Sequence, residues 1–285
     1  MENVASLEQA RLNINWKNLF IVVTFHLLSV AALFAFSWKN LAAMLVGNWI
    51  VGSLGVGLGY HRLLTHRSFK APKWLEYTLT VLGTMSMQDA PDKWVATHRL
   101  HHAFTETDND PHSTKPGFWW AHIGWVVFGR AQDHDAATFK KYIPDLLKDK
   151  FHVALAKYYL VPIILSGFLL YALGGWSMVL WGVFARVVVG WHTTWFVNSL
   201  AHFSGKRPFE TKDDSTNNWF VAFLTFGEGW HNNHHAQPSS ARHGLKWFEL
   251  DMNWITIRLF EKLGWAKEIR TFETKKMPAE LKRAA

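Results

Sequence analysis

Four stretches of this chain, near 19–38, 41–60, 158–173 and 176–200, are apolar over lengths close to those of bilayer-crossing helices. A helix needs about 20 such residues to cross the hydrocarbon layer. The stretches pair into two hairpins, turning at 37–40 and at Gly174–Gly175, turns too short to hold a domain. Helices of a soluble bundle keep a polar face, and these mostly lack one. The 17 tryptophans fit membrane-interface belts. A mean hydropathy of −0.03 shows that a large polar portion accompanies the apolar one. The expected fold is an all-α integral membrane protein: four transmembrane helices in two hairpins under a helical cap formed by 61–156 and 201–285, one domain across 1–285. Lys and Arg concentrate in the two polar segments, while the first turn holds Lys39 and the second none. The positive-inside rule then places the cap and both termini in the cytoplasm. Two shorter apolar pieces, 75–87 and 117–129, are too short to span. The Trp-rich second reads as an interfacial helix, and either piece could instead be core of the cap.

The formal charge of +8 fits a membrane surface or an acidic partner better than nucleic acid, since no arginine-rich run or zinc-finger spacing is present. The absence of cysteine excludes disulfides, thiolate-ligated haem and cysteine-held iron–sulfur clusters within the chain. Glu2 and Glu8 precede the first apolar stretch, with no cleavable signal peptide evident.

Sixteen histidines are many for this length, and they cluster. His61 and His66 (HRLLTH) end the second apolar stretch. His98, His101 and His102 form HRLHH, and His231, His234 and His235 form HNNHH. On a helix, HxxHH spacing puts three rings within an arc of roughly 100°. Imidazole is the commonest transition-metal side-chain ligand. Eight are too many for one metal, so two metals are expected. His202 is a ninth candidate: it shares a helix face with Asn198 in NSLAH at the end of the fourth stretch, where Asn198 could hold a metal-bound water. Zinc, with its four-coordinate preference, fits this set poorly. The remaining His26, His112, His122, His134, His152, His192 and His243 read as capped or solvated side chains.

The segments HRLLTHRSF, THRLHHAFTETDNDPHS, NSLAH and GEGWHNNHHA resemble the membrane fatty-acyl desaturases, chiefly the cyanobacterial and plastid type, over about residues 15–265. The resemblance implies a mushroom-shaped four-helix stem with a cytoplasmic cap in a bacterial inner membrane or thylakoid. It also implies two irons held by nine histidines and a water-holding asparagine, and a bent acyl tunnel kinked beside Gln88, Trp94 and Thr194. The chain departs from the acyl-CoA enzymes: Ala96-Thr97 stands where those carry Arg-Asp, and a basic pair is reduced to Gly129-Arg130. That departure favours an acyl chain carried on a glycerolipid, with delta-9 desaturation the expected reaction. Acyl-CoA desaturation and a di-iron fatty-acyl hydroxylase are the alternatives. A non-enzymatic membrane haem binder would instead place facing histidines inside the spans.

Taking hydrogen from an unactivated CH₂ needs oxygen activated at a redox metal, with O₂ as co-substrate. Glu106, Asp110 and Glu228 flank the boxes and are candidates to orient ligating imidazoles. The chain has no flavin, haem or iron–sulfur module of its own, so electrons must come from an external carrier; the resemblance implies ferredoxin. Trp49 and Ser53, one turn apart on the second stretch, are expected to close the far end of the tunnel.

Overall fold

The computed structural model describes residues 13–128 and 132–273. The described residues form helices and isolated bridges, with no strand ladder. Helix α1 (Trp16–Leu33) starts where the Asn15 side chain accepts the Asn18 N–H. Its ring of large apolar side chains is bare, Phe20 72% and Leu27 65% exposed, which only a lipid environment tolerates. Helix α2 (Trp38–Thr65) begins at a Ser37 cap. It is longer at both ends than the 41–60 expected. At 28 residues it exceeds the length of one crossing; His61 lies in its last turns and His66 directly follows it.

From Trp49 onward α2 is wound in π turns. Its glycines let α3 (Lys73–Thr84) approach closely: a Cβ at Gly55 would lie 2.6 Å from the Leu82–Gly83 backbone, and one at Gly59 2.7 Å from the Leu79 carbonyl. This is small-residue packing four positions apart. The 75–87 piece is therefore core, with Leu75 and Leu79 buried against Leu58, Leu63 and Ile257.

Helix α4 (Pro91–Phe104) opens with proline in its first turn, where no intrahelical N–H is needed. Helix α5 is a short element, Trp120–Gly124 running on through Trp125–Val127. It buries Trp125 against α1 but leaves Trp119, just before it, 74% exposed. Three short helices follow: α6 (Ala136–Tyr142), α7 (Pro144–Lys148) and α8 (Lys150–Lys157).

The third apolar run, Val161–Phe203, has 43 residues, about twice one crossing. It breaks at Gly174 and Gly175, the latter with φ 66°, which favours glycine. The arms, α9 (161–173) and α10 (176–198), fold back on each other, Leu170 packing against Gly182. Three helical runs are thus long and apolar enough to cross a membrane. Beyond Ser199, where the helix breaks, come α11 (Leu200–Phe203), α12 (Trp219–Leu224), α13 (His231–Ala236) and α14 (Met252–Lys262).

Candidate metal centre

The nine histidines singled out in the sequence meet in two adjoining groups. His61, His66, His98, His102 and His234 form one; His101, His202, His231 and His235 form the other. Within each group the ligand-capable atoms all lie within 4.8 Å of one another. The Nε2 atoms converge: His61 and His234 approach to 3.2 Å, His234 and His102 to 3.0 Å, His102 and His98 to 3.2 Å, and His202 and His231 to 3.1 Å.

Local folding explains the convergence. His66 lies five positions after His61, and α-helical winding would turn the two rings well apart. The π winding restores them to one side: the His66 N–H donates to the His61 carbonyl, an i→i+5 bond. Arg99, inside HRLHH, then caps this helix end by donating to the carbonyls of Leu64 and Thr65 while gripping Asp145 with two bonds. The six-residue α13 is too short to stand alone. Its two asparagines hold it: Asn232 exchanges hydrogen bonds with the Phe209 backbone, and Asn233 donates to the His243 carbonyl and to Glu249.

Carboxylates take up the remote ring nitrogens. The Nδ1–H groups of His61, His101, His202 and His235 face Glu228 (2.6 Å), Asp110 (3.0 Å), Glu106 (2.8 Å) and Asp213 (2.9 Å). Such bonds fix the tautomer that leaves Nε2 free for a metal. Burial alone would raise the carboxyls of Asp110, Asp213 and Glu228. Neighbouring imidazoles hold Asp110 and Asp213 well below the usual range, and at Glu228 the Arg62 guanidinium does so first, followed by His61 and His243. Burial, then neighbouring imidazole charge, pushes His98, His102, His231 and His234 far below the ordinary histidine value. Burial likewise brings His235 to about 4 against the pull of Asp213. Neutral imidazole is the metal-binding form.

The donor set fits two divalent ions. Among the described residues, the buried Nε2 atoms of His66 and His235 have no hydrogen-bond partner, an arrangement that is costly without something to bind. Glu228 and Asp251 share the fully buried Arg62, leaving one formal negative charge, and Glu106, Asp110 and Asp213 bring three more. A net of −4 balances two divalent cations.

Two chambers meet at this centre. The outer one opens among Asn15, Lys17, Asp89, Lys93 and Tyr159, between α1, α4 and α10. The inner one runs between α2 and α10 towards Asn48, Arg186 and Gly190. Gln88, Trp94, His98, Thr194 and Asn198 line both. Gln88 donates to the Thr194 hydroxyl (2.9 Å) and accepts from the Trp94 indole (3.2 Å), so these side chains are tied together at the junction. Asn198 lines both chambers there too.

Several expectations need correction. Trp49 and Ser53 line neither chamber. Trp49 is 39% exposed on the outer surface, and buried Ser53 donates to Asn253 on α14. The reason is the winding of α2: wider turns rotate less per residue, so over twelve residues the phase between Trp49 and His61 slips by roughly half a turn. Gly129 and Arg130 lie outside the described residues. Of the histidines read as ordinary, His243 is buried with Nδ1 3.2 Å from Glu228, and His112 stacks 4.3 Å from His101. His134 contacts the Thr97 hydroxyl, and His152 contacts Glu76. Asp213, Arg62 and the two asparagines of HNNHH were not identified from the sequence. A buried-type motif position for Arg62, directly after the first ligand, was the one signal available.

A family model described as fatty acid desaturase matches residues 36–266. The chain is 48% identical over 267 residues to the sn-1 stearoyl-lipid 9-desaturase of Anabaena variabilis, covering 92% of this chain and 96% of that protein. It is 46% identical over 257 residues to the sn-2 palmitoyl-lipid 9-desaturase of Nostoc sp. (strain 36), covering 90% of each. An acyl-CoA 5-desaturase of Anemone leveillei is 43% identical, over 89% of this chain and 78% of that one.

Proposed function

Because this chain belongs to the fatty acid desaturase family, an oxidoreductase family, we propose that it places a cis double bond at the delta-9 position of a saturated acyl chain esterified to a membrane glycerolipid. The carrying observation is the pair of chambers that join at Gln88, Trp94, Thr194 and Asn198 beside the histidine groups. An acyl chain threaded through them would bend where the histidines lie, with its glycerol end at the Asn15–Tyr159 mouth and its methyl end between α2 and α10. The relatives named above as lipid 9-desaturases support the position and the carrier.

The five-histidine group would hold one iron and the four-histidine group the other, with Asn198 retaining a water beside the second. When bound, the irons supply the oxidising power that an unactivated CH₂ demands. The chain's own residues do the rest. Glu106, Asp110, Asp213 and Glu228 orient the imidazoles. The Gln88–Thr194–Trp94 linkage holds the bend and so chooses which carbons face the centre.

The chain makes four passes, with the break at Gly174–Gly175 as the outer turn of the second hairpin. The single domain faces the cytoplasm with its cap. Exposed Lys206, Arg207 and Lys212 flank Asp213, which bonds His235. An acidic one-electron carrier such as ferredoxin would dock there, one imidazole from the four-histidine group.

The test is expression in a host with a compatible reductant, followed by pulse-labelling of lipids. New monounsaturation appearing in chains already esterified to glycerolipid is expected. Turnover of acyl-CoA with lipid chains left untouched would overturn the carrier. Hydroxylated products without new double bonds would overturn the reaction.

A further inference from the structure

Three histidines outside the nine form a chain of their own. His26 on α1 and His192 on α10 meet Nε2 to Nε2 at 3.0 Å. His192 Nδ1 meets His122 Nε2 on α5 at 3.0 Å. His122 Nδ1 meets the Ser199 hydroxyl, also at 3.0 Å. The rings of Phe118, Trp195 and Phe196 enclose His122, Phe118 stacked at 11°. Polar groups at membrane depth are costly and mark function by default.

With one proton on each ring, the Val22 carbonyl sets the direction of the imidazole bonds. His26 Nδ1 lies 2.7 Å from the Val22 carbonyl, which only accepts. His26 therefore carries its proton on Nδ1 and accepts at Nε2. His192 must donate from Nε2 and accept at Nδ1. His122 must do the same, and the Ser199 hydroxyl donates to it. Four protons make four bonds, and every ring is neutral. The same hydroxyl lies 2.8 Å from the Trp195 carbonyl, which can accept from it as well as from the Ser199 N–H, so the hydroxyl proton is shared between His122 and Trp195. Burial, aided by His192, pushes His122 down to about 4, so it is neutral at ordinary pH.

The chain ends at a place that matters. Ser199 is the break between α10 and α11, with φ −103° and ψ −76°. Asn198 precedes it, and the Ser199 carbonyl accepts the His202 N–H at 2.9 Å.

We propose that His122 is a positioning residue: through Ser199 it sets the turn that places Asn198 and His202 at the four-histidine group, while His192 and His26 fix which nitrogen of His122 bears the proton. The proposal rests on the metal-centre reading of His202 and Asn198.

Two measurements on the full chain in lipid nanodiscs test it. The first is ¹⁵N imidazole NMR of metal-free protein, assigned by single-histidine substitution. Nε2–H tautomers are expected for His122 and His192 and an Nδ1–H tautomer for His26. Any other pattern overturns the relay, whatever the enzyme does. The second compares His122→Phe, Ser199→Ala, their double variant and Ser199→Thr. The first two should each lose about tenfold in kcat with KM for lipid within about twofold, as for partners one step removed from a metal ligand. The double should lose no more than either, and Ser199→Thr, which restores the hydroxyl, should recover most of the loss. Additive losses, or wild-type kcat in both single variants, would overturn the positioning role. Wild-type protein that retained no iron would instead overturn the metal-centre reading, with the tautomer result standing apart.

Discussion

Asp213 lies 22 positions before His235 in the sequence, yet its carboxylate fixes that ring. Replacing Asp213 by Asn keeps the shape and removes the charge. The expected result is a drop of about 10–100-fold in iron affinity with helical content unchanged, read by competition with a calibrated chelator. A second prediction concerns Asp145. Burial opposes its ionisation, but the Arg99 and Arg67 guanidiniums bring its carboxyl down to about 2. A depressed carboxyl stabilises the fold above its unfolded value near 4 and loses that contribution as pH falls towards 2. Being a third exposed, it contributes about 1 kcal/mol. Melting temperature should fall between pH 4 and pH 2, and Asp145→Asn should flatten that fall. The nine histidines could be found from sequence because ligand chemistry restricts residue type and spacing. The acids could be found only in part: Glu106, Asp110 and Glu228 sit beside boxes, whereas Asp213 reaches its ring through a loop closure that no local pattern announces.

Among the elements, α2 shows where reading the sequence reached its limit. Its apolar length and its histidine end were legible, but its winding was not, because hydropathy is nearly insensitive to whether turns close at four residues or five. The expectation that Trp49 closes the tunnel took no account of that winding, and Trp49 lines neither chamber. Ser37 similarly moved the helix start to Trp38 by capping it. Asn48, Arg186 and Gly190 line the inner chamber. A Cβ at Gly190 would meet the Asn48 side chain at 3.6 Å, an ordinary contact, so small side chains fit while large ones fill the chamber. Gly190→Phe should shift products towards shorter acyl chains, and Trp49→Ala should leave the chain-length profile unchanged. Fatty-acid analysis of lipids from a mixed-length pool checks both.

On the scale of the whole molecule, the absence of native cysteine makes orientation directly measurable. Single cysteines placed at Ser37 and at Ser239 should react with a membrane-impermeant thiol reagent from opposite faces of sealed vesicles, the Ser239 site from the cytoplasmic one. Labelling of both from one side would overturn the four-pass reading. The helical class and the hairpin order were legible because a bilayer forces length and polarity into the sequence. The way the cap closes was not, since it depends on contacts such as Asn233 with Glu249 and Arg62 with Asp251, each joining distant segments. That closure gathers carboxylates around neutral imidazoles, and like charges crowded in a poorly polarisable interior repel. Cations held by the imidazoles would offset that repulsion, so metal binding is expected to add to the stability of the fold. An ion at a hundredfold above its dissociation constant adds about 2.7 kcal/mol. Metal supply should accordingly govern how long the protein survives proteolysis, as well as how fast it works. Chelated and iron-replete samples compared by limited digestion of the cap would show it.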